Sequence, residues 1–103
     1  MTQPTKRDAR KQELLEAGVK LAVTHGYNKV TPLQISELVG CSRPLVCFYF
    51  STTNQLHRAI VGEALRVHNL PVIAQALVNG DPRAKRAPDT LQREALDALL
   101  VRG

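Results

Sequence analysis

The chain has 103 residues, which suits one domain, and its 44% hydrophobic content supplies a small core and argues against a disordered tail. It contains no apolar run of the ~18 residues a membrane span needs, and no apolar segment follows the basic N-terminus as a signal peptide would require. Fourteen basic against nine acidic residues give a net charge of +5, which favours a polyanionic partner with nucleic acid first; a basic surface kept for solubility is the plain alternative.

Residues 1–7 carry Pro, Thr, Gln and basic side chains without an apolar face and read as a flexible basic arm. Lys6, Arg7, Arg10 and Lys11 are placed to reach phosphates, or simply to solvate a helix start. Thr5 or Asp8 caps a first helix running to about His25. Its apolar stripe is Leu14, Leu15, Gly18, Leu21 and Ala22, with Glu16 and Lys20 spaced for an ion pair. Gly26 stops it, and Tyr27 is expected to pack across the corner.

The stretch TPLQISELVGCSRPLVCFYF, residues 31–50, reads as helix, glycine turn, helix. Thr31 is an N-cap, Pro32 is tolerated at the first helical position, and Gln34 completes a capping box. Leu33, Ile35, Leu38 and Val39 supply its apolar face. Gly40 ends that helix and Ser42 caps the next, with Pro44 in its first turn. The second helix is short, yet carries Arg43, Leu45, Cys47, Phe48 and Tyr49 beyond what a core filled by Val46 and Phe50 can take. That surplus predicts a recognition helix of a helix-turn-helix.

Thr52 and Gln55 fit a second capping box. A fourth helix follows with Leu56, Ile60, Ala64 and Val67 on one stripe and a phosphate-accepting N-terminus. Asn69-Leu70-Pro71 breaks it; Val72, Ile73, Ala76 and Leu77 form a fifth helix, which Gly80-Asp81-Pro82 stops. Residues 83–88 read as a basic loop with Arg83, Lys85 and Arg86, either a solvated connector or a further contact to DNA. A last helix from Pro88 and Asp89 bears Leu91, Ala95, Ala98 and Leu99, flanked by Leu96 and Leu100. So wide a stripe packs on a second copy of the chain, covers the fourth helix, or does both.

Cys41 and Cys47 lack CxxC spacing and read as free thiols of a cytoplasmic protein. No metal-ligand cluster, phosphate loop or nucleophile–base set is visible, so no catalytic residue, metal or cofactor is assigned and an enzyme is not expected. His25, His57 and His68 are scattered over helices.

Residues from about 9 to 60 resemble the N-terminal DNA-binding domain of TetR-type transcriptional repressors. The resemblance is carried by Leu14-Leu15, Ala17, Leu21, Gly26-Tyr27, Thr31, Ile35, Val39-Gly40, Ser42, Val46, Tyr49-Phe50 and Leu56. It implies an all-α fold, homodimers on palindromic operators, and repression by occupancy. It implies that Thr31 holds a backbone phosphate, Gln34 faces the groove, Ser42, Arg43, Pro44 and Leu45 open the recognition helix, and Tyr49 contacts phosphate. Arg43 is the expected guanine reader, with Leu45 and Phe48 against thymine methyls. The chain has Cys47 where the family usually has tyrosine, and Thr53, counted here among the DNA contacts, where it usually has lysine. About 40 residues follow the resembling part, whereas the family generally carries a larger helical domain with a ligand pocket.

The resulting expectation is an all-α chain: an arm over 1–7, a helix-turn-helix three-helix DNA-binding unit over 8–55, and over 56–103 a connecting helix with two or three short helices for dimerisation. Its partners are a double-stranded DNA operator and a second copy, with no membrane and no small-molecule inducer. The alternative from another class is a protein-interaction module, such as an antitoxin or adaptor using the C-terminal apolar helix.

Overall fold

A computed structural model describes residues 6–102, with side chains to residue 100. It is all-α, with no strand among the described residues. The elements are α1 (Lys6–His25), a 3-10 turn (Tyr27–Lys29), α2 (Pro32–Val39), α3 (Arg43–Tyr49), α4 (Thr53–Arg66), α5 (Leu70–Val78), α6 (Pro82–Lys85) and α7 (Asp89–Arg102).

The first helix already begins at Lys6. Lys6 and Arg7 are therefore helical rather than parts of an arm, and Asp8 lies in the first turn rather than capping it. Residues 1–5, including the alternative cap Thr5, lie outside the described residues. Gly26, at φ 94°, takes the chain out of α1, a conformation costly for any residue with a Cβ. Tyr27 then turns inward and is buried, its ring edge-on to His57 with centroids 6.4 Å apart. The His57 ring nitrogen also pairs with the Val30 carbonyl at 2.9 Å, so this histidine is structural.

The core runs through α1, α2, α3 and α4 and continues into α5, with Ala84, Leu91 and Ala95 at its far end. Leu14, Ile35, Val46, Leu56 and Ile60 are fully buried, and each contributes about 1.5–3 kcal/mol by leaving water. Helix α1 packs on both α4 and α2, and Gly18 permits the α1–α4 approach: a Cβ there would lie 3.0 Å from the Ile60 side chain. The expected domain boundary after residue 55 falls inside α4, whose buried face belongs to the same core.

Several apolar positions differ from expectation. In α2 only Ile35 of the four apolar residues is fully buried; Leu33 and Leu38 are about half exposed. An eight-residue surface helix turns one stripe inward, and Ile35 with half-buried Val39 occupies it. Val67 sits at the C-cap of α4, past the buried stripe, and is exposed. Ala17 and Val19 are buried in α1, while Leu15 and Leu21 are only partly so. The expected Glu16–Lys20 ion pair does not form among the described residues; the pairs present are Arg10–Glu13 and Glu63–Arg66.

Glu63 is the buried charge of the α1–α4 seam. Arg66 donates to both its oxygens at 2.7 Å, and the Gln12 carboxamide of α1 donates to one of them. Chiefly through the Arg66 hydrogen bonds, and against the opposing cost of burial, the Glu63 carboxyl is held below its ordinary value.

In the C-terminal half, part of the stretch read as a basic loop is helical. Asp81 accepts from the Arg83 N–H at 2.9 Å and Pro82 takes the first helical position, so the predicted loop begins as the short helix α6. Gln92 of α7 closes its far end by donating to the Lys85 and Ala87 carbonyls at 3.0 and 2.8 Å. Helix α7 covers α5 rather than α4, burying Leu91 and Ala95 there, while Leu96, Leu99 and Leu100 remain exposed. Gln75 of α5 ties this half to the α1 corner: it donates to the Ala22 carbonyl and accepts from the Tyr27 N–H.

Candidate nucleic-acid interface

The turn between α2 and α3 is set by local chemistry. Thr31 and Gln34 form the full capping box, the Gln34 N–H bonding the Thr31 hydroxyl at 3.2 Å and the Thr31 N–H bonding the Gln34 side-chain oxygen at 2.9 Å. Gly40 follows at φ 80°, its N–H on the Ser36 carbonyl at 2.9 Å. Ser42 caps α3 by accepting from the Leu45 N–H at 3.4 Å. These bonds use acceptor capacity only. The Thr31 and Ser42 hydroxyl hydrogens and the Gln34 amide hydrogens stay free of them; Thr31 and Ser42 are exposed and Gln34 half-buried, so each keeps a donor to offer.

Helix α3 is anchored on one side by Val46 and the following Phe50, both buried. Everything else on it faces out or lies at the rim. Ser42, Arg43, Pro44 and Cys47 are exposed, Phe48 is 62% exposed, and Leu45 and Tyr49 are half-buried. The Phe48 and Tyr49 rings meet edge to face at 5.3 Å. Thr31 and Thr53 are exposed at the starts of α2 and α4. Thr52 caps α4 by accepting from the Gln55 N–H at 3.1 Å; only this half of the expected second capping box forms.

The fold brings two of the four basic residues at the start of α1 to this surface. The Arg7 guanidinium lies 5.2 Å from the centre of the Phe48 ring, and the Lys11 ammonium 6.0 Å from that of Phe50. Arg7 and Lys11 are one helical turn apart on α1, so a single face of that helix lies beside α3. Their spacing was the signal available in the sequence; that it points at α3 was not. Arg10 instead turns to Glu13 at 3.2 Å. A short helix with aromatic and cationic side chains pointing out, flanked by hydroxyl donors and cations, can enter a groove and hold the strands beside it.

Other sites are absent or open. Among the described residues no group of His, Cys, Asp and Glu could hold a metal ion, and no helix is long and apolar enough to cross a membrane. Both cysteines are free thiols. A cleft of ≈ 430 Å³ lies between Leu65, Arg83, Arg86 and Leu91. It is open to the surface rather than enclosed.

Neither a curated protein nor a solved structure matches the chain. A family model, described as bacterial regulatory proteins of the tetR family, matches residues 14–60, the span from the buried part of α1 to the middle of α4. Regulators of this family are generally not enzymes. Over residues 14–60 the chain thus carries the N-terminal helix-turn-helix domain of the TetR family, the domain of a DNA-binding transcription regulator.

Proposed function

We propose that the protein is a sequence-specific transcriptional repressor that binds a two-fold symmetric operator as a homodimer. The observation that carries this reading is the division of α3: Val46 and Phe50 hold it to the core while Arg43, Pro44, Cys47 and Phe48 stand in solvent. In this reading Arg43 reads a guanine edge, because its fork matches O6 and N7, and Leu45 and Phe48 meet thymine methyls. Ser42 and Pro44 open the helix against the groove wall, and Gln34 faces the groove as a donor. Thr31, Tyr49 and Thr53 hold phosphates. Half-sites lie about 34 Å apart or somewhat further, on one face of the duplex. Bound protein blocks the promoter, and no chemistry is involved.

The outer faces of α5 and α7 support the homodimer. Val78 is 69% and Leu100 77% exposed, with Leu96 and Leu99 beside them. Because the clefts are open rather than enclosed, repression is read as constitutive, without a small-molecule inducer. A protein-interaction module would use the same apolar face for a different protein.

Selection of bound sequences from random duplex DNA at near-physiological salt tests this function. Enrichment of a palindromic motif supports it. A purified protein that is monomeric, enriches no sequence and captures a different protein through α7 contradicts it.

A further inference from the structure

Arg58, Arg83 and Arg86 surround one crevice of ≈ 260 Å³ between α4 and α6, with Asp81 and Pro82 on its wall. Arg83 is fixed there. Its guanidinium donates to the Arg58 carbonyl at 3.0 Å, and its backbone N–H is held by Asp81 at 2.9 Å. Gly62 leaves the room: a Cβ there would sit 3.3 Å from Arg83 Nη1. None of the three arginines takes part in the ion pairs of the described residues. Asp81 is the one carboxylate on the crevice wall and already serves as the cap of α6. Glu94 lies in the neighbouring cleft, which shares Arg83 and Arg86 but not Arg58. All three arginines are exposed, and with one engaged carboxylate among them they leave the crevice a surplus of positive charge; a weakly hydrated guanidinium suits phosphate oxygens.

The position of the crevice says which anion. Helix α4 starts at the recognition surface with exposed Thr53, and Arg58 is five residues on, a rise of about 7.5 Å along the helix axis and about 140° round it, towards the flank on which α6 packs. We infer that the Arg58–Arg83–Arg86 crevice is a second phosphate-binding site, gripping the DNA backbone beside the segment read by α3. This inference rests on the DNA-binding function proposed above and adds a contact outside the helix-turn-helix. It gives α6 a role: the helix and its C-cap bring two of the three arginines, Arg83 and Arg86, to the flank of α4.

The test is the salt dependence of binding to two duplexes, one ending at the selected operator and one extended by about one helical turn on each side. The variant Arg58→Ala/Arg86→Ala spares Arg83, which secures α6, and thermal melting checks that it folds. Wild-type protein should show the steeper salt slope on the longer duplex. The variant should lose about 0.9 in slope for each phosphate contact removed, bind the longer duplex several-fold more weakly, and select an unchanged motif. Arg58→Lys/Arg86→Lys should keep most of the slope. Equal slopes for wild type and alanine variant on both duplexes would overturn the site while leaving the repressor reading intact. Tight calorimetric binding of pyrophosphate, lost in the alanine variant while the DNA slope stays the same, would also overturn it and assign the crevice to a small anion. Wild-type protein that selects no DNA sequence would sink the proposed function itself, and this site with it.

Discussion

The Gln75 carboxamide of α5 donates to the Ala22 carbonyl near the end of α1 at 2.9 Å, across 53 residues of sequence. Its oxygen accepts from the Tyr27 N–H at 3.0 Å, so one side chain serves the free donor where α1 gives way to the 3-10 turn and adds a second donor to a carbonyl that already accepts the Gly26 N–H. Through it the C-terminal half is latched to the corner that holds Tyr27 and His57 in place. Gln75→Leu fills similar space but leaves the Tyr27 N–H without its partner. The expected cost is about 1–3 kcal/mol, seen as a lower denaturant midpoint with an unchanged slope. An unchanged midpoint would show the latch to be dispensable.

Gly18 faces Ile60 where α1 and α4 approach each other. Gly18→Ala gains about 1 kcal/mol of helix propensity. It also brings a methyl to 3.0 Å from Cγ1 of the fully buried Ile60, which must shift to admit it, an overpacking cost of about 1–3 kcal/mol. The net expectation is destabilisation, and Gly18→Val should be worse. Thermal melting of both variants checks the order.

Glu63 makes the fold acid-sensitive in a defined window. Its folded carboxyl is held below its ordinary value, mainly by Arg66. The stabilisation is therefore complete above the unfolded-state value of about 4.3 and is lost as pH falls through the lower folded value. Glu63→Gln removes this titration. Melting temperatures of wild type and variant should converge as pH drops below about 4. A gap that stays constant down to pH 2 would place the acid sensitivity elsewhere.

Cys47 is exposed on α3 and Cys41 half-buried at the turn. Bound DNA should slow maleimide labelling of Cys47 strongly and that of Cys41 little, read by mass spectrometry of the labelled peptides. Equal rates at Cys47 with and without operator would remove it from the interface.

What was legible in the sequence was local. Thr31, Ser42, Gly26 and Gly40 announce helix ends because a cap or a left-handed residue acts within a few positions. Helix α3 stood out because its apolar and cationic load exceeds what its core side, Val46 and Phe50, can absorb. Asp81-Pro82 shows how such a signal can be read one way only: taken as a stop for α5, it is equally an N-cap and first helical residue, and it starts α6. The half-exposure of Leu33 and Leu38 was hidden because periodicity gives a face but not how much of it a neighbour covers. The Gln75 latch, the Arg83 contact to α4 and the placement of Arg7 over Phe48 join residues 53, 25 and 41 positions apart, and nothing in the local pattern encodes them.

Comparing the motifs selected by wild-type protein and by Arg43→Ala tests the central claim most directly. The account predicts that both recover a two-fold symmetric motif and that the variant relaxes one position in each half-site, at a cost of about 1–3 kcal/mol there. Uniform weakening on every sequence, or no enriched motif from the wild type, would contradict the assignment of α3 as the element that reads the bases.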